Sequence, residues 1–357
     1  MTVALGHAAP ARRRRLGPGA LLAALAACLV AAVIVALGVG PFAIAPARIA
    51  AILQDVLAGR APPAESAVDA AVLLTIRLPR IALAIVAGGV LALAGAVMQG
   101  LFRNPLADPG VLGVSSGAAV GAVGMIVLGE RMPDLLPRAL IPWLQPGMAF
   151  LCGLGATAFV YAVARQAGAL RPMTMLLAGI AVNAMAGALT GFFTFMSGES
   201  QLRMITFWTM GSLGHGAWSA MLPALVPLLL SPVLLLPLAR RLDVLLLGER
   251  EAGHLGIDPE AVRRRASVGV ALGVGAAVAL TGVIGFIGIV APHVVRLLIG
   301  PAHRALLPAA ALGGAILLLV SDIAARMVVA PAELPIGLVT ALIGGPFFLW
   351  LLLRRAG

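Results

Sequence analysis

Apolar residues in this 357-residue chain gather into ten long stretches, broken by arginine, proline and acidic clusters. They cover approximately residues 18–40, 78–101, 112–128, 147–164, 173–196, 219–239, 265–283, 284–299, 306–326 and 334–353. A helix needs about 20 apolar residues to cross the hydrocarbon of a bilayer. The pattern therefore predicts an all-α polytopic membrane protein of about ten transmembrane helices, the seventh and eighth sharing a boundary. The chain reads as one transmembrane domain over 1–357, with a basic tail over 1–17 and a charged region over 240–265. The segment at about 41–76 contains Pro62-Pro63 and scattered charges, and is expected to hold a short interfacial helix.

Composition strengthens this picture. The chain is 61% hydrophobic and 11% charged, with a mean hydropathy of +1.06; soluble domains average about 45–50% and about 25%. A water-soluble core cannot hide so much apolar surface. The net charge of +11 would suit nucleic acid only as a basic face on a soluble module, whereas these arginines stand in short runs between apolar stretches. With the N-terminus inside, 17 of the 25 arginines fall on the inner side and 8 on the outer, while the acids divide 6 and 8. The positive-inside rule then puts both termini in the cytoplasm. No basic residue is a lysine. That excludes a Walker A loop and Schiff-base chemistry, so any ATP must be bound by another chain.

A weak internal repeat appears at an offset of 187 residues, matching Gly88 to Gly275, Ala92 to Ala279, Leu93 to Leu280, Gly95 to Gly282, Pro105 to Pro292 and Gly113 to Gly300. It starts on spans two and seven, an odd shift, so the halves would run in opposite directions, as in transporters built from inverted repeats. Gly113, Gly117 and Gly121, and likewise Gly269 and Gly273, recur every four residues and read as close helix packing.

Candidate chemistry is sparse. There is no His-x-x-x-His pair and no paired carboxylate within a span, so no intramembrane enzyme is indicated. Cys28 and Cys152 lie inside apolar segments, away from disulfide or metal spacing. Leu25-Ala26-Ala27-Cys28 resembles a lipoprotein signal, but its apolar run continues to about residue 40, so an uncleaved first span is expected. The histidines at 7, 215, 254, 293 and 303 stand far apart, mostly at span ends, and read as interfacial. Asp322 and Arg326, four apart, can pair along a helix near the outer surface. No span carries an acid near its middle, which argues against an ion-coupled secondary transporter. Residues 240–265 mix both charge signs with Leu and Ile, as in a short amphipathic helix facing a protein partner.

Arg77-Leu78-Pro79-Arg80, the string from Gly95 through Met98-Gln99-Gly100 to Asp108-Pro109, and Leu112-Gly113-Val114-Ser115-Ser116-Gly117 resemble the permease family of ABC importers for iron–siderophores, haem and vitamin B12. Gly248-Glu249 to Leu255-Gly256, Gly285-Phe286-Ile287-Gly288 to His293, and Glu333-Leu334-Pro335-Ile336-Gly337 to Pro346 are similar to the same family. The resemblance implies a homodimer around a central pathway in the bacterial inner membrane. Two ATP-binding subunits would sit inside and a periplasmic substrate-binding protein would dock outside. It further implies that Gly248, Glu249, Arg250, Glu251, Ala252, Gly253, His254, Leu255 and Gly256 couple to the ATPase. Arg77, Arg80 and Arg326 would receive acidic residues of the binding protein. Pro172, Met173 and Thr174, with Asn104 and Leu106, would form the cytoplasmic gate, Met173 departing from the small hydroxyl residues the family can carry. The permease itself would be no enzyme and would hold no permanent cofactor.

The strings around Met98 and from Thr206 to Gly214 look most like haem permeases, with vitamin B12 permeases next and ferric-siderophore permeases further off. A pathway walled by Gly, Ala, Met and Phe, without acid rings, suits a bulky, partly apolar chelate better than a bare cation. That argument does not separate haem from cobalamin.

Overall fold

A computed structural model describes residues 17–129, 140–166, 169–214 and 216–356. Most of the basic tail expected over 1–17, and His215, lie outside the described residues, as do the side chains of Arg354 and Arg355. The described helices are α1 (Pro18–Gly38), α2 (Pro46–Leu57), α3 (Ala67–Ala71), α4 (Leu78–Leu101), α5 (Val114–Gly129), α6 (Ile141–Ala164), α7 (Pro172–Phe195), α8 (Glu199–Thr209), α9 (Trp218–Leu235), α10 (Ala239–Leu245), α11 (Glu249–His254), α12 (Pro259–Thr281), α13 (Ile287–Ile299), α14 (His303–Met327) and α15 (Ile336–Ala356). A two-residue antiparallel pair, Arg165–Gln166 with Ala169–Leu170, is the one piece of sheet among the described residues.

Among the described residues seven helical runs are long and apolar enough to cross a membrane: Pro18–Gly38, Ala64–Leu101, Ile141–Ala164, Pro172–Phe195, Trp218–Leu245, Pro259–Thr281 and His303–Met327. Three shorter apolar helices, Val114–Gly129, Ile287–Ile299 and Ile336–Leu351, take the other three expected positions. The structure is thus nearly all-helical, as read from the sequence. The 13 residues of α13 rise only about 20 Å, short of a bilayer core of about 30 Å. The apolar sequence runs on from α12 to α13, but the backbone turns at Gly282 and Phe286, both in the left-handed region with φ of 69° and 67°.

Of the boundaries that differ from expectation, two involve charged residues. The helix holding α4 begins at Ala64 and reaches α4 through α3 and a π turn at Val72–Arg77, so much of the expected outer segment is helical. The interfacial helix is α2, which buries Ile49 and Ile52. Likewise α12 begins at Pro259, because the Asp258 side chain accepts the Glu260 N–H at 2.9 Å and Pro259 suits the first helical position. Arg263 and Arg264 therefore lie in the helix rather than in the loop before it.

Small residues set the core. A Cβ on Gly88 would meet the Gly314 carbonyl oxygen at 2.5 Å, and one on Gly95 would meet that of Gly288 at 1.9 Å. Backbone thus touches backbone between α4 and both α14 and α13, the close approach that drives helix association in lipid. Gly117 and Gly121 make the same contact with α6, at the carbonyls of Cys152 and Met148. Gly269 and Gly273 face Leu235 and Ser231 of α9. As a result α4 is buried around its whole circumference, whereas α7 buries one stripe of Met175, Ala178, Gly179, Val182 and Ala186.

The matched helices α4 and α12 run in opposite directions. Arg80, at the start of α4, and Thr281, at the end of α12, both border the turn at 212–214, since the Ser212 N–H donates to the Thr281 carbonyl at 2.7 Å and Arg80 Nη1 lies beside Gly214. Beyond these helices the offset loses its structural register: Pro105 lies in the turn after α4, and Pro292 inside α13.

Candidate functional site

The charged strings singled out in the sequence collect at the two ends of the bundle. At one end the π turn runs straight into α4 and delivers Arg77 and Arg80 side by side. Arg80 Nε donates to Asp322 Oδ1 of α14 at 2.9 Å, and Arg326 Nε lies 3.1 Å from Asp322 Oδ2. Arg80 Nη1 also donates to both carboxylate oxygens of Glu333, at 2.9 and 2.8 Å, in the link between α14 and α15. Arg77 donates to the carbonyls of Leu37 and Phe42, and Arg326 Nη1 to that of Val39 at 3.3 Å. The link between α1 and α2 closes over two of the guanidiniums so tightly that a Cβ on Gly40 would meet Arg77 Nη2 at 2.9 Å.

This arrangement differs from three exposed cations. Arg77, Arg80 and Arg326 are 4, 6 and 4% exposed and Asp322 is 0% exposed, while the Glu333 side chain is 42% exposed. Buried charge is tolerated only when paired and hydrogen-bonded; here two carboxylates and four backbone carbonyls, that of Asp322 included, supply that pairing. Three guanidiniums against two carboxylates leave this cluster net positive, and Glu333 is the member that faces outward.

The opposite end is built from short polar elements. After α4, Arg103 adopts a φ of 50° and donates to the Leu245 carbonyl at the end of α10. Asn104 Oδ1 accepts the Leu106 N–H at 3.0 Å, and Asp108 Oδ1 accepts the Gly110 N–H at 2.8 Å, folding the turn that precedes α5. Burial pushes the Asp108 carboxyl above its ordinary value, against the Gly110 N–H, which favours the ionised form. Asn183 of α7 donates to the Gly110 carbonyl at 3.2 Å and accepts from Ser116. This ties α7 to the same turn.

The short helix α11 is anchored by buried Ala252 and by an ion pair from Glu249 to Arg263, leaving Leu247 and Leu255 67% and 63% exposed on either side of it. A cavity of about 160 Å³ is lined by Leu101, Phe102, Arg103, Pro172, Leu245, Glu249 and Arg263. The structure thereby brings Pro172, one residue assigned to the gate, against Glu249, one assigned to coupling. Met173 projects away at 69% exposure, Thr174 and Leu106 are half-buried, and Asn104 is exposed.

Sequence reasoning missed two polar cross-links near this end. His303 Nδ1 and its backbone N–H both contact Asp243 Oδ1, at 2.7 and 3.0 Å. Gln99 donates to the Gly288 carbonyl at 3.1 Å and accepts from Arg296 at 2.8 Å. His293 and His303, expected at interfacial positions, are 5% and 2% exposed; the His293 ring meets Phe347 edge-on at 5.8 Å. Among the described residues no three His, Cys, Asp or Glu gather as metal ligands.

A larger cavity, about 580 Å³, opens beside the arginine end between α6, α8, α9 and α12. Leu83, Pro146, Met204, Phe207, Trp208 and Met221 make its walls mostly apolar, and Arg203 is its one charged lining residue among those described.

A polytopic bundle that carries polar machinery at its ends and no nucleotide-binding lysine is built as a transport permease. The chain belongs to the FecCD transport family, which it matches over residues 28–354. It is 50% identical over 282 residues to the haemin transport system permease HmuU of Yersinia pestis, covering 79% of this chain and 83% of that protein. It is 44% identical over 281 residues to the cobalamin import permease BtuC of Halobacterium salinarum, covering 79% and 73%. Its fold is similar to a solved inward-facing structure assigned to the metal-chelate type of ABC transporter, with a TM-score of 0.78, 32% identity, and coverage of 95% of this chain and 100% of that one. The chain is accordingly an ABC importer permease.

Proposed function

We propose that this permease carries haem from a periplasmic binding protein to the cytoplasm of a bacterium. It would do so as a homodimer in the inner membrane, driven by two copies of a separate ATPase. The 50% identity to the Yersinia pestis haemin permease carries the choice of haem. A second reading, vitamin B12, is favoured by the 44% identity to the Halobacterium salinarum cobalamin permease. Reconstituting the permease with its ATPase and binding protein in proteoliposomes, and comparing uptake of haem, cobalamin and a ferric siderophore, tests both. Haem-dependent ATP hydrolysis and uptake is the expected result; preferential cobalamin uptake reverses the choice.

Orientation follows from the arginine excess: both termini and α11 face the cytoplasm, and the arginine cluster faces outward. Gly248 to Gly256 then couple to the ATPase, an assignment supported by a short helix with exposed Leu247 and Leu255 at its flanks. Pro172, Met173, Thr174, Asn104 and Leu106 form the inner gate. Its proximity to coupling is supported by the shared cavity of Pro172 and Glu249. The cluster of Arg77, Arg80 and Arg326, net positive even with its two acids, receives acidic side chains of the binding protein. Fixed charge of this kind steers and orients a partner more than it adds raw affinity.

A further inference from the structure

We propose that Glu333 is an internal stand-in for the docking carboxylate. In the resting permease it occupies Arg80, and an acidic side chain of the binding protein displaces it. The inference rests on the reading that the arginine end receives that protein.

The geometry separates the three cations. Arg77 and Arg326 are capped by the carbonyls of Leu37, Val39 and Phe42, so reaching them requires the link between α1 and α2 to move. Arg80 spends its Nε inward on Asp322, which is fully buried, and its Nη1 outward on Glu333. Among the described residues Glu333 is thus the one side chain bonded to Arg80 on its outer side. Among the described residues the Glu333 carboxylate has no hydrogen-bond or ion-pair partner other than Arg80.

The backbone that carries Glu333 is held independently of this pair. The Leu334 N–H donates to the Ala325 carbonyl at 3.0 Å, and the Ile336 and Gly337 N–H groups donate to Gly211 and Met210 at 3.0 and 2.9 Å. The side chain can swing out without unravelling the link. A half-exposed ion pair is cheap to exchange, because water takes up the released carboxylate. Replacing one carboxylate by another also keeps Arg80 compensated throughout, whereas simple opening would leave a buried cation short of counter-charge. Glu333 lies beside Gly214, in the turn whose Ser212 lines the 580 Å³ cavity.

The test measures binding of the protein that supports uptake in the reconstituted system to permease held in lipid nanodiscs, at low and high salt. Glu333→Gln should raise the association rate and affinity about three- to tenfold at low salt, less at high salt. The gain should vanish when Arg80→Gln is added. Glu333→Asp, which keeps the charge but draws it back by one methylene, should give a smaller gain and serves if the Gln variant melts early. Unchanged or weaker binding by a Glu333 variant that keeps the wild-type melting temperature, with Arg80→Gln still weakening docking, makes Glu333 a strut and overturns this proposal alone. Wild-type affinity in Arg80→Gln overturns the docking reading, and this proposal with it.

Discussion

At the arginine end, five ionic side chains from two distant parts of the sequence close into one cluster, four of them buried, the arginines bonded to carboxylates or carbonyls and the carboxylates to arginines. At the opposite end, charge is spread along short helices and turns, and pairs such as Glu249 with Arg263 are open to solvent on one side. The first arrangement is costly to disturb and holds a fixed geometry; the second gives little stability and leaves a surface that a partner can take. Charge is thus locked at one end, where Glu333 alone faces outward, and left open at the other, with α4 joining the two.

The largest effect tests that division directly. Asp322→Ala leaves Arg80 and Arg326 buried with one carboxylate fewer, and should cost about 3–5 kcal/mol, read as a large drop in the melting temperature of detergent-purified permease. A change near zero would mean that the cluster contributes no more than a surface pair. Next, Gly95→Leu places side chain where the Gly288 carbonyl stands, and overpacking of this kind costs about 1–3 kcal/mol or more. Loss of folded yield is expected; normal expression and melting would show that α4 and α13 are not in backbone contact. At the opposite end, Glu249→Gln should cost under about 1 kcal/mol in thermal unfolding while weakening co-purification with the ATPase. Unchanged co-purification, together with normal assembly after residues 249–254 are replaced by a Gly-Ser linker, would remove the coupling assignment.

The smallest effect concerns pH. Because burial raises the folded-state pKa of Asp108, the folded permease holds this proton where the unfolded chain has released it. Stability from this group therefore falls as pH rises from the ordinary carboxylate value of 3.8 toward the raised one, and then levels off. Asp108→Asn can keep the hydrogen bond from Gly110 without the charge. It should flatten that part of a pH–melting profile; an unaltered profile would place the titration elsewhere.

Apolar length made the helical positions legible, since lipid solvent demands it of every span. Boundaries went astray where charge and helix coincide. Arg263, Arg264 and Arg265 read as a loop, yet Asp258-Pro259 just before them is a cap signal that marks the earlier start of α12. The helical run from Ala64 to Arg77 was hidden by its acids and by a π turn that no periodicity announces. For the site, the i,i+4 pair of Asp322 with Arg326 was readable because it is local. Arg80 finding Asp322 and Glu333 was not, since these partners lie 242 and 253 residues away. Glu333 was visible only as part of a string, with nothing in its neighbours to say that it would cover a cation. The burial of the three arginines was equally unreadable, because it depends on a backbone link that contributes carbonyls rather than side chains.

The glycine contacts along α4 also limit how this permease can move. A rod fixed by backbone contact at Gly88 and Gly95, with Arg80 bonded at one extremity and Gln99 at the other, has no freedom to slide, roll or flex against α13 and α14. These three helices act as a single keel. Any alternation of access is then left to hulls hung from it, and α7, buried along one stripe and bare elsewhere, is one such plank.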